Sequence, residues 1–182
     1  MDNGFLTINE VSEKLNVSPS WVYKKCKAGI MPGPIHRPGR VGVISRSGTL
    51  AYEVGGILAK VGLPPSTVVG MGADPVVLTD LSELLRLFAA DPQTKLVTIV
   101  GEVGGVQEER AAEFIATGYP KPVIAYIAGR QTPEGKRMGH AGAIVQRGMG
   151  SVASKVAALE KVAVSIARTP AEIGTIAQRL LG

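Results

Sequence analysis

At 182 residues the chain suits one domain of ordinary size with a small appendage, and its single cysteine, Cys26, excludes an internal disulfide framework and favours a reducing compartment. Hydrophobic residues make up 45% and aromatics only 4%, so the core must be aliphatic; no apolar run reaches the roughly 18 residues of a membrane span, and the opening MDNGFLTINE is no secretory signal, which together predict a soluble, cytoplasmic protein. The formal charge of +5 is uneven, with six Lys/Arg against three acids in residues 1–40 and fourteen against twelve in the rest, an asymmetry that permits a polyanionic partner for the N-terminus and equally a solvated basic face.

The first thirty residues read as two short helices split by a tight turn. Thr7 can cap the first, with Glu10 three residues on as a capping box, and Val11 and Leu15 form its inner stripe. Asn16 suits a left-handed turn. Ser18 caps the second helix, Pro19 fills its first position, and Lys24, Lys25 and Lys27 crowd its basic end. Residues 5 to 29 thereby resemble the helix-turn-helix of excisionases and MerR-type regulators. That resemblance implies a second helix entering the major groove, with Ser20, Tyr23 and Lys24 exposed towards DNA and Lys25 and Lys27 beside them. A helical hairpin packed on a larger domain is the competing reading.

Ile30 to Arg40 holds three prolines and two glycines and reads as a connecting arm. The pattern then changes. Val41 to Ser45 is a short apolar run suited to a buried strand, and Leu50, Val54, Ile57, Leu58 and Val61 recur at helical spacing. A second strand fits Thr67 to Met71. Thr79 or Asp80 can cap a helix carrying Leu81, Leu84, Leu85 and Phe88 on one face. Leu96 to Val100 is a third strand, Val106 to Ala116 a helix, and Pro122 to Ile127 a fourth strand. A glycine-rich loop, Ala128 to Gly150, precedes a helix over Ser151 to Lys161. Val162 to Ile166 reads as a short edge strand, and Thr169-Pro170 opens a last helix to Leu181. The alternation predicts an α/β fold: a flavodoxin-like doubly wound parallel sheet with helices on both faces, preceded by a small helical hairpin. The predicted divisions are 1–29, 30–40 and 41–182.

Ligands of such sheets collect at the carboxyl ends of the strands, where three glycine-rich turns fall. Ser45-Arg46-Ser47-Gly48-Thr49 leaves the first strand and opens a helix whose first N–H groups and dipole make an anion site; Ser45, Ser47, Gly48 and Thr49 are the phosphate candidates, and an ordinary Ser/Thr cap explains them as well. Gly101-Glu102-Val103-Gly104-Gly105 presents a carboxylate able to hold a histidine tautomer, or simply a solvated glutamate. Gly135 to Ile144 contains His140 between small residues, with Gly139 beside it and Lys136 and Arg137 able to neutralise a phosphoryl group. A neutral imidazole is a competent nucleophile near pH 7.

Together GKRMGHAGAI (135–144), SRSGTLAYE (45–53), GEVGG (101–105) and IMPG-x-IH-x-PG, ending at residue 39, resemble in order and spacing the α subunit of succinyl-CoA synthetase and its acyl-CoA synthetase relatives, over about 29 to 182. The resemblance implies a phosphorylated His140, an orienting Glu102, and a helix starting at Ser47-Gly48-Thr49 that faces the phosphohistidine. It implies CoA and ATP or GTP with Mg²⁺ as substrates rather than tightly bound cofactors, no metal site in the chain, and a β-type ATP-grasp partner subunit holding the nucleotide. In that family a Rossmann domain binding CoA precedes this part; here no G-x-G-x-x-G follows a strand, and the helix-turn-helix-like segment stands in its place. The expected function is an acid–CoA ligase component. The alternatives are a DNA-binding regulator fused to a ligase-derived sensing domain, or an inactive truncated or chimeric relic.

Overall fold

A computed structural model describes residues 13, 39–73, 79–130 and 150–182 of the chain. The chain divides into two compact units, Met1–Gly33 and Pro34–Gly182. The second contains every element described here. The helix-turn-helix reading, with Ser20, Tyr23, Lys24, Lys25 and Lys27, lies outside the described residues.

Among the described residues five strands and five helices alternate: β1 (Val41–Ser45), α1 (Gly48–Lys60), β2 (Pro65–Gly70), α2 (Leu81–Ala90), β3 (Leu96–Glu102), α3 (Gln107–Ala116), β4 (Val123–Ala128), α4 (Val152–Glu160), β5 (Ser165–Ala167) and α5 (Pro170–Leu181). The strands form one sheet in the order β2-β1-β3-β4-β5. Every pairing is parallel. This is the flavodoxin-like order expected from the alternation.

Alternation along the strands sends neighbouring side chains to opposite faces. Ile44, Val97, Ile99, Ala125 and Ile127 pack against α2, α3 and α4 through Leu81, Leu85, Phe88, Ala111 and Leu159. Val41, Val43, Val100 and Ile124 pack on the other face against Val54 and Leu58 of α1 and Ile173 and Ala177 of α5. Both faces are therefore covered, which is why β1 and β3 are buried along their whole length. Each buried aliphatic side chain contributes about 1.5–3 kcal/mol. At Gly42 a β-carbon would stand 2.6 Å from the Phe88 ring, so the aromatic ring of α2 requires the glycine beneath it.

The helix starts follow the sequence closely. Ser47 caps α1, Asp80 closes a full capping box with Glu83 on α2, Ser151 caps α4, and Thr169 with Pro170 opens α5. Several strand boundaries move. β2 begins at Pro65 rather than Thr67, because Val41 pairs with Pro65 across a register irregularity. β3 runs on to Glu102, since Gly101 and Glu102 still pair with Ile127 and Ala128. β5 shrinks to Ser165–Ala167, because residues 161–163 turn, with Ala163 at φ 60°, before pairing with β4 resumes. Gly39 and Arg40, the end of the proline-rich arm, are stitched to the sheet: Arg40 N–H donates to Pro64 O at 3.1 Å and Gln93 Nε2 to Gly39 O at 3.1 Å.

Candidate active site

In this strand order the chain leaves β1 towards β2 on one side, and β3 lies on the other. The carboxyl ends of β1 and β3 thus flank the topological switch point, where the flanking loops part and leave a crevice. Two of the three predicted turns end there. Ser45 closes β1 opposite Val100, and Arg46 N–H donates to Val100 O at 3.0 Å.

The SRSGT turn is shaped by its own hydroxyls. Ser45, fully buried, donates through Oγ to Ser47 O at 2.6 Å and accepts from Ser47 N–H at 3.1 Å. Both hydrogen-bonding directions of Ser45 are used inside the turn. Ser47 Oγ accepts from Leu50 N–H at 3.3 Å. Gly48 and Thr49 are exposed, and a β-carbon on Gly48 would meet nothing within 4 Å. Packing does not demand that glycine. What it leaves is bare backbone on the first turn of a 13-residue helix, where N–H groups and dipole favour an anion.

The GEVGG turn is held from beneath by charge. Glu102 ends β3 and is buried. Arg46, 5% exposed, passes under the turn: Nη1 donates to Glu102 O at 3.2 Å, Gly104 O at 2.9 Å and Glu108 Oε1 at 3.0 Å, while Nη2 lies 3.6 Å from Glu102 Oε1. Glu108, in the first turn of α3 and fully buried, also accepts Glu102 N–H at 3.1 Å. Lys155 of α4, likewise fully buried, pairs with Glu108 Oε2, reaches Glu109 Oε2 at 3.2 Å, and donates to Gly105 O at 3.0 Å. Gly104 N–H donates to Gly150 O at 2.8 Å. Two cations and three carboxylates from the turn after β1 and from β3, α3 and α4 therefore converge at one turn.

Of the predicted site residues, the structure brings Ser45, Ser47, Gly48, Thr49 and Glu102 to neighbouring strand ends. Sequence reasoning missed Arg46, Glu108 and Lys155. One signal was available: Lys155 sits four residues before Leu159, on the buried face of the predicted helix. His140, Lys136, Arg137 and Gly139 lie outside the described residues. A cleft of about 590 Å³, lined by Tyr119 and Lys161 among others, opens at the amino ends of β4 and β5, away from these turns. Burial pushes the Tyr119 phenol up to about 12. Among the described residues no helix is long and apolar enough to cross a membrane.

An exposed helix start beside a charge-braced glycine turn, both at the switch point of a parallel sheet, is the arrangement of an open α/β domain, a class whose ligands collect at the carboxyl edge. The chain belongs to the CoA-ligase family, whose match covers residues 44–165. It is 50% identical over 157 residues to the succinate–CoA ligase [ADP-forming] subunit alpha 2 of Archaeoglobus fulgidus, covering 86% of this chain and 54% of that protein. To the succinate–CoA ligase [ADP-forming] subunit alpha of Staphylococcus aureus it is 49% identical over 151 residues, 83% of this chain and 50% of that one. The chain spans about half the length of these curated relatives. Among solved structures, ATP citrate lyase (D541A mutant) of Methanosaeta concilii in complex with (3S)-citryl-CoA shares the fold at TM-score 0.74 and 23% identity, over 80% of this chain and 24% of that one. The dinucleotide forming acetyl-coenzyme A synthetase 1 of Ca. Korarchaeum cryptofilum, in complex with phosphate and ADP, matches at TM-score 0.54 and 27% identity, over 72% of this chain and 28% of that one.

Proposed function

We propose that this chain is the phosphohistidine-carrying part of an acid–CoA ligase of the succinyl-CoA synthetase type, working with a β-type ATP-grasp subunit that holds the nucleotide. The observation that carries the reading is the meeting of the exposed α1 start and the braced Glu102 turn at one switch point. About 50% identity to α subunits of succinate–CoA ligases supports it.

In the proposed cycle inorganic phosphate attacks the thioester carbonyl of an acyl-CoA, the C–S bond breaks, and CoA leaves as the thiol. A ring nitrogen of His140 then attacks phosphorus of the acyl phosphate, and the carboxylate leaves with the P–O electron pair. A terminal oxygen of a nucleoside diphosphate next takes the phosphoryl group, restoring the free imidazole. Glu102 fixes the ring tautomer by accepting the N–H of the nitrogen that does not attack. The N–H groups of Gly48 and Thr49 and the α1 dipole receive the phosphoryl oxygens, assisted by Ser47, Lys136 and Arg137 with Gly139 leaving backbone access. Ser45 shapes that turn through its two hydrogen bonds to Ser47.

Incubation with labelled ATP, Mg²⁺ and a β-type subunit should place an acid-labile, base-stable phosphate on the full chain. The label should vanish in His140→Ala and form about 10–100-fold more slowly in Glu102→Gln. Label persisting in His140→Ala rejects the carrier assignment, and an unchanged Glu102→Gln rate removes the role given to Glu102. For residues 1–29 we propose, as a second reading, the helix-turn-helix role with duplex DNA as partner, on the capped two-helix pattern that carries Ser20, Tyr23 and Lys24 together with the charge excess of residues 1–40.

A further inference from the structure

A fully buried carboxylate must have every lone pair engaged, or it costs more than the fold gains. Glu108 meets that demand in an instructive way. Its Oε1 accepts Glu102 N–H at 3.1 Å and Arg46 Nη1 at 3.0 Å, and its Oε2 accepts Lys155 Nζ with a longer contact to Arg46 Nη1 at 3.4 Å. The two cations it gathers do more than neutralise it. Arg46 also binds the carbonyls of Glu102 and Gly104, and Lys155 binds that of Gly105. The polar backbone of residues 102–105 is thus held by side chains from three separate elements, all converging on one carboxylate. Gly101 carries no side chain because a β-carbon there would stand 2.5 Å from Glu108 Oε1.

The distances also divide Arg46 between two glutamates. The short contact goes to Glu108, and Nη2 stands off at 3.6 Å from Glu102 Oε1. Arg46 lies between Ser45, which shapes the β1 turn, and Ser47, which caps α1. Arg46 is thus joined to the start of α1 through the backbone and to the GEVGG turn through its guanidinium.

We propose that Glu108 is a positioning residue: by holding Arg46 and Lys155 beneath the GEVGG turn, it sets the backbone at Glu102, keeps the arginine charge from closing on the Glu102 carboxylate, and fixes the spacing between that turn and the start of α1. This rests on the role given to Glu102 above. If Glu108 became uncharged, Arg46 would shift its pairing to Glu102 and Lys155 to Glu109, and the Glu102 N–H would keep only a neutral, weaker acceptor.

The test uses the full chain and Glu108→Gln, which keeps the shape and removes the charge. In the chain alone, the Glu102 amide proton should move upfield by about 1 ppm, because a carboxylate acceptor gives the shorter, charge-assisted bond. With ATP–Mg²⁺ and a β-type subunit, single-turnover labelling of the chain should fall about 10–100-fold. The KM for ATP should stay within about twofold, and Glu108→Asp should recover part of the rate. Should Glu108→Gln not fold, the unsubstituted chain still decides: its Glu102 amide should exchange with solvent about as slowly as that of Ile99 within β3. An amide there exchanging like an open loop overturns the proposal, and so does Glu108→Gln labelling at the full rate. If the amide responds as stated but the unsubstituted chain never takes label, the phosphohistidine reading fails while the geometry stands.

Discussion

Lys155 shows how much a single side chain can carry and why it was hard to read. Its position four residues before Leu159 marks the inner face of α4, yet lysine is so seldom fully buried that the sequence alone favours a solvated one. Only the partners reverse that: Glu108 and Glu109 from α3 and the carbonyl of Gly105 surround the ammonium group. Those partners lie some 46 to 50 residues away in the chain, so no local pattern announces them. Glu102, by contrast, was legible, because a carboxylate between glycines just after an apolar run marks a strand end. Lys155→Met keeps most of the buried stem and deletes the charge. Its loss leaves Glu108 with Arg46 as its remaining paired cation, so urea unfolding should show a loss of about 3–5 kcal/mol. Glu108→Leu combined with Lys155→Met should lose less than the sum of the two single changes, because the pair then disappears together. Strict additivity in that double-mutant cycle would mean the two groups do not act as a unit.

Elements were legible where capping chemistry is local. Asp80 with Glu83, and Thr169 ahead of Pro170, mark helix starts through residues only a few positions apart. Strand ends were less so, because pairing with a distant strand decides them, as the extension of β3 to Glu102 against Ala128 shows. The end of α2 depends on such distant partners too. Lys121, ahead of β4, donates to the carbonyls of Phe88 and Asp91. Burial raises the Asp91 carboxyl, but hydrogen bonds from Thr94 Oγ1 at 2.5 Å and from the N–H groups of Gln93 and Thr94, with the charge of Lys121, outweigh it and hold the group below its ordinary value. Thr94 Oγ1 in turn meets Ser66 Oγ of β2 at 2.6 Å, so this corner joins α2, β2 and the start of β3. The folded carboxyl being the more acidic, the unfolded chain takes up the proton first. The contribution is present above about pH 4 and fades as pH falls through the folded value. Denaturant midpoints measured from about pH 5 to pH 3 should therefore fall less steeply in Asp91→Asn than in the unsubstituted chain. Equal slopes would show that the Asp91 corner does not couple folding to pH.

At the scale of the whole molecule, the alternation of apolar runs and amphipathic stretches was enough to give a parallel sheet covered on both faces, since each crossover returns through a helix, while the order β2-β1-β3-β4-β5 is set by which strands pair. The alternation also put the first two glycine turns at carboxyl ends of strands, and the strand order brings those two ends together at the switch point. His140 and the lysines of the helix-turn-helix-like segment fall outside the described residues. There the charge distribution is the useful quantity. Residues 1–40 carry six Lys/Arg against three acids, and the other residues fourteen against twelve, so the proposed DNA role places the duplex on the N-terminal part. If Lys24, Lys25 and Lys27 each neutralise one phosphate, the logarithm of duplex affinity for the full chain should fall with the logarithm of salt concentration at a slope of about −3, by counterion release. Lys24→Glu with Lys25→Glu should flatten that slope to about −1 and leave phosphate labelling of the histidine unchanged, because the carrier chemistry is assigned to the other compact unit. Anisotropy titrations of a labelled duplex across salt concentrations read the slope directly. A slope near zero, or one indifferent to the two substitutions, would end the DNA role of the N-terminal segment without touching the ligase reading.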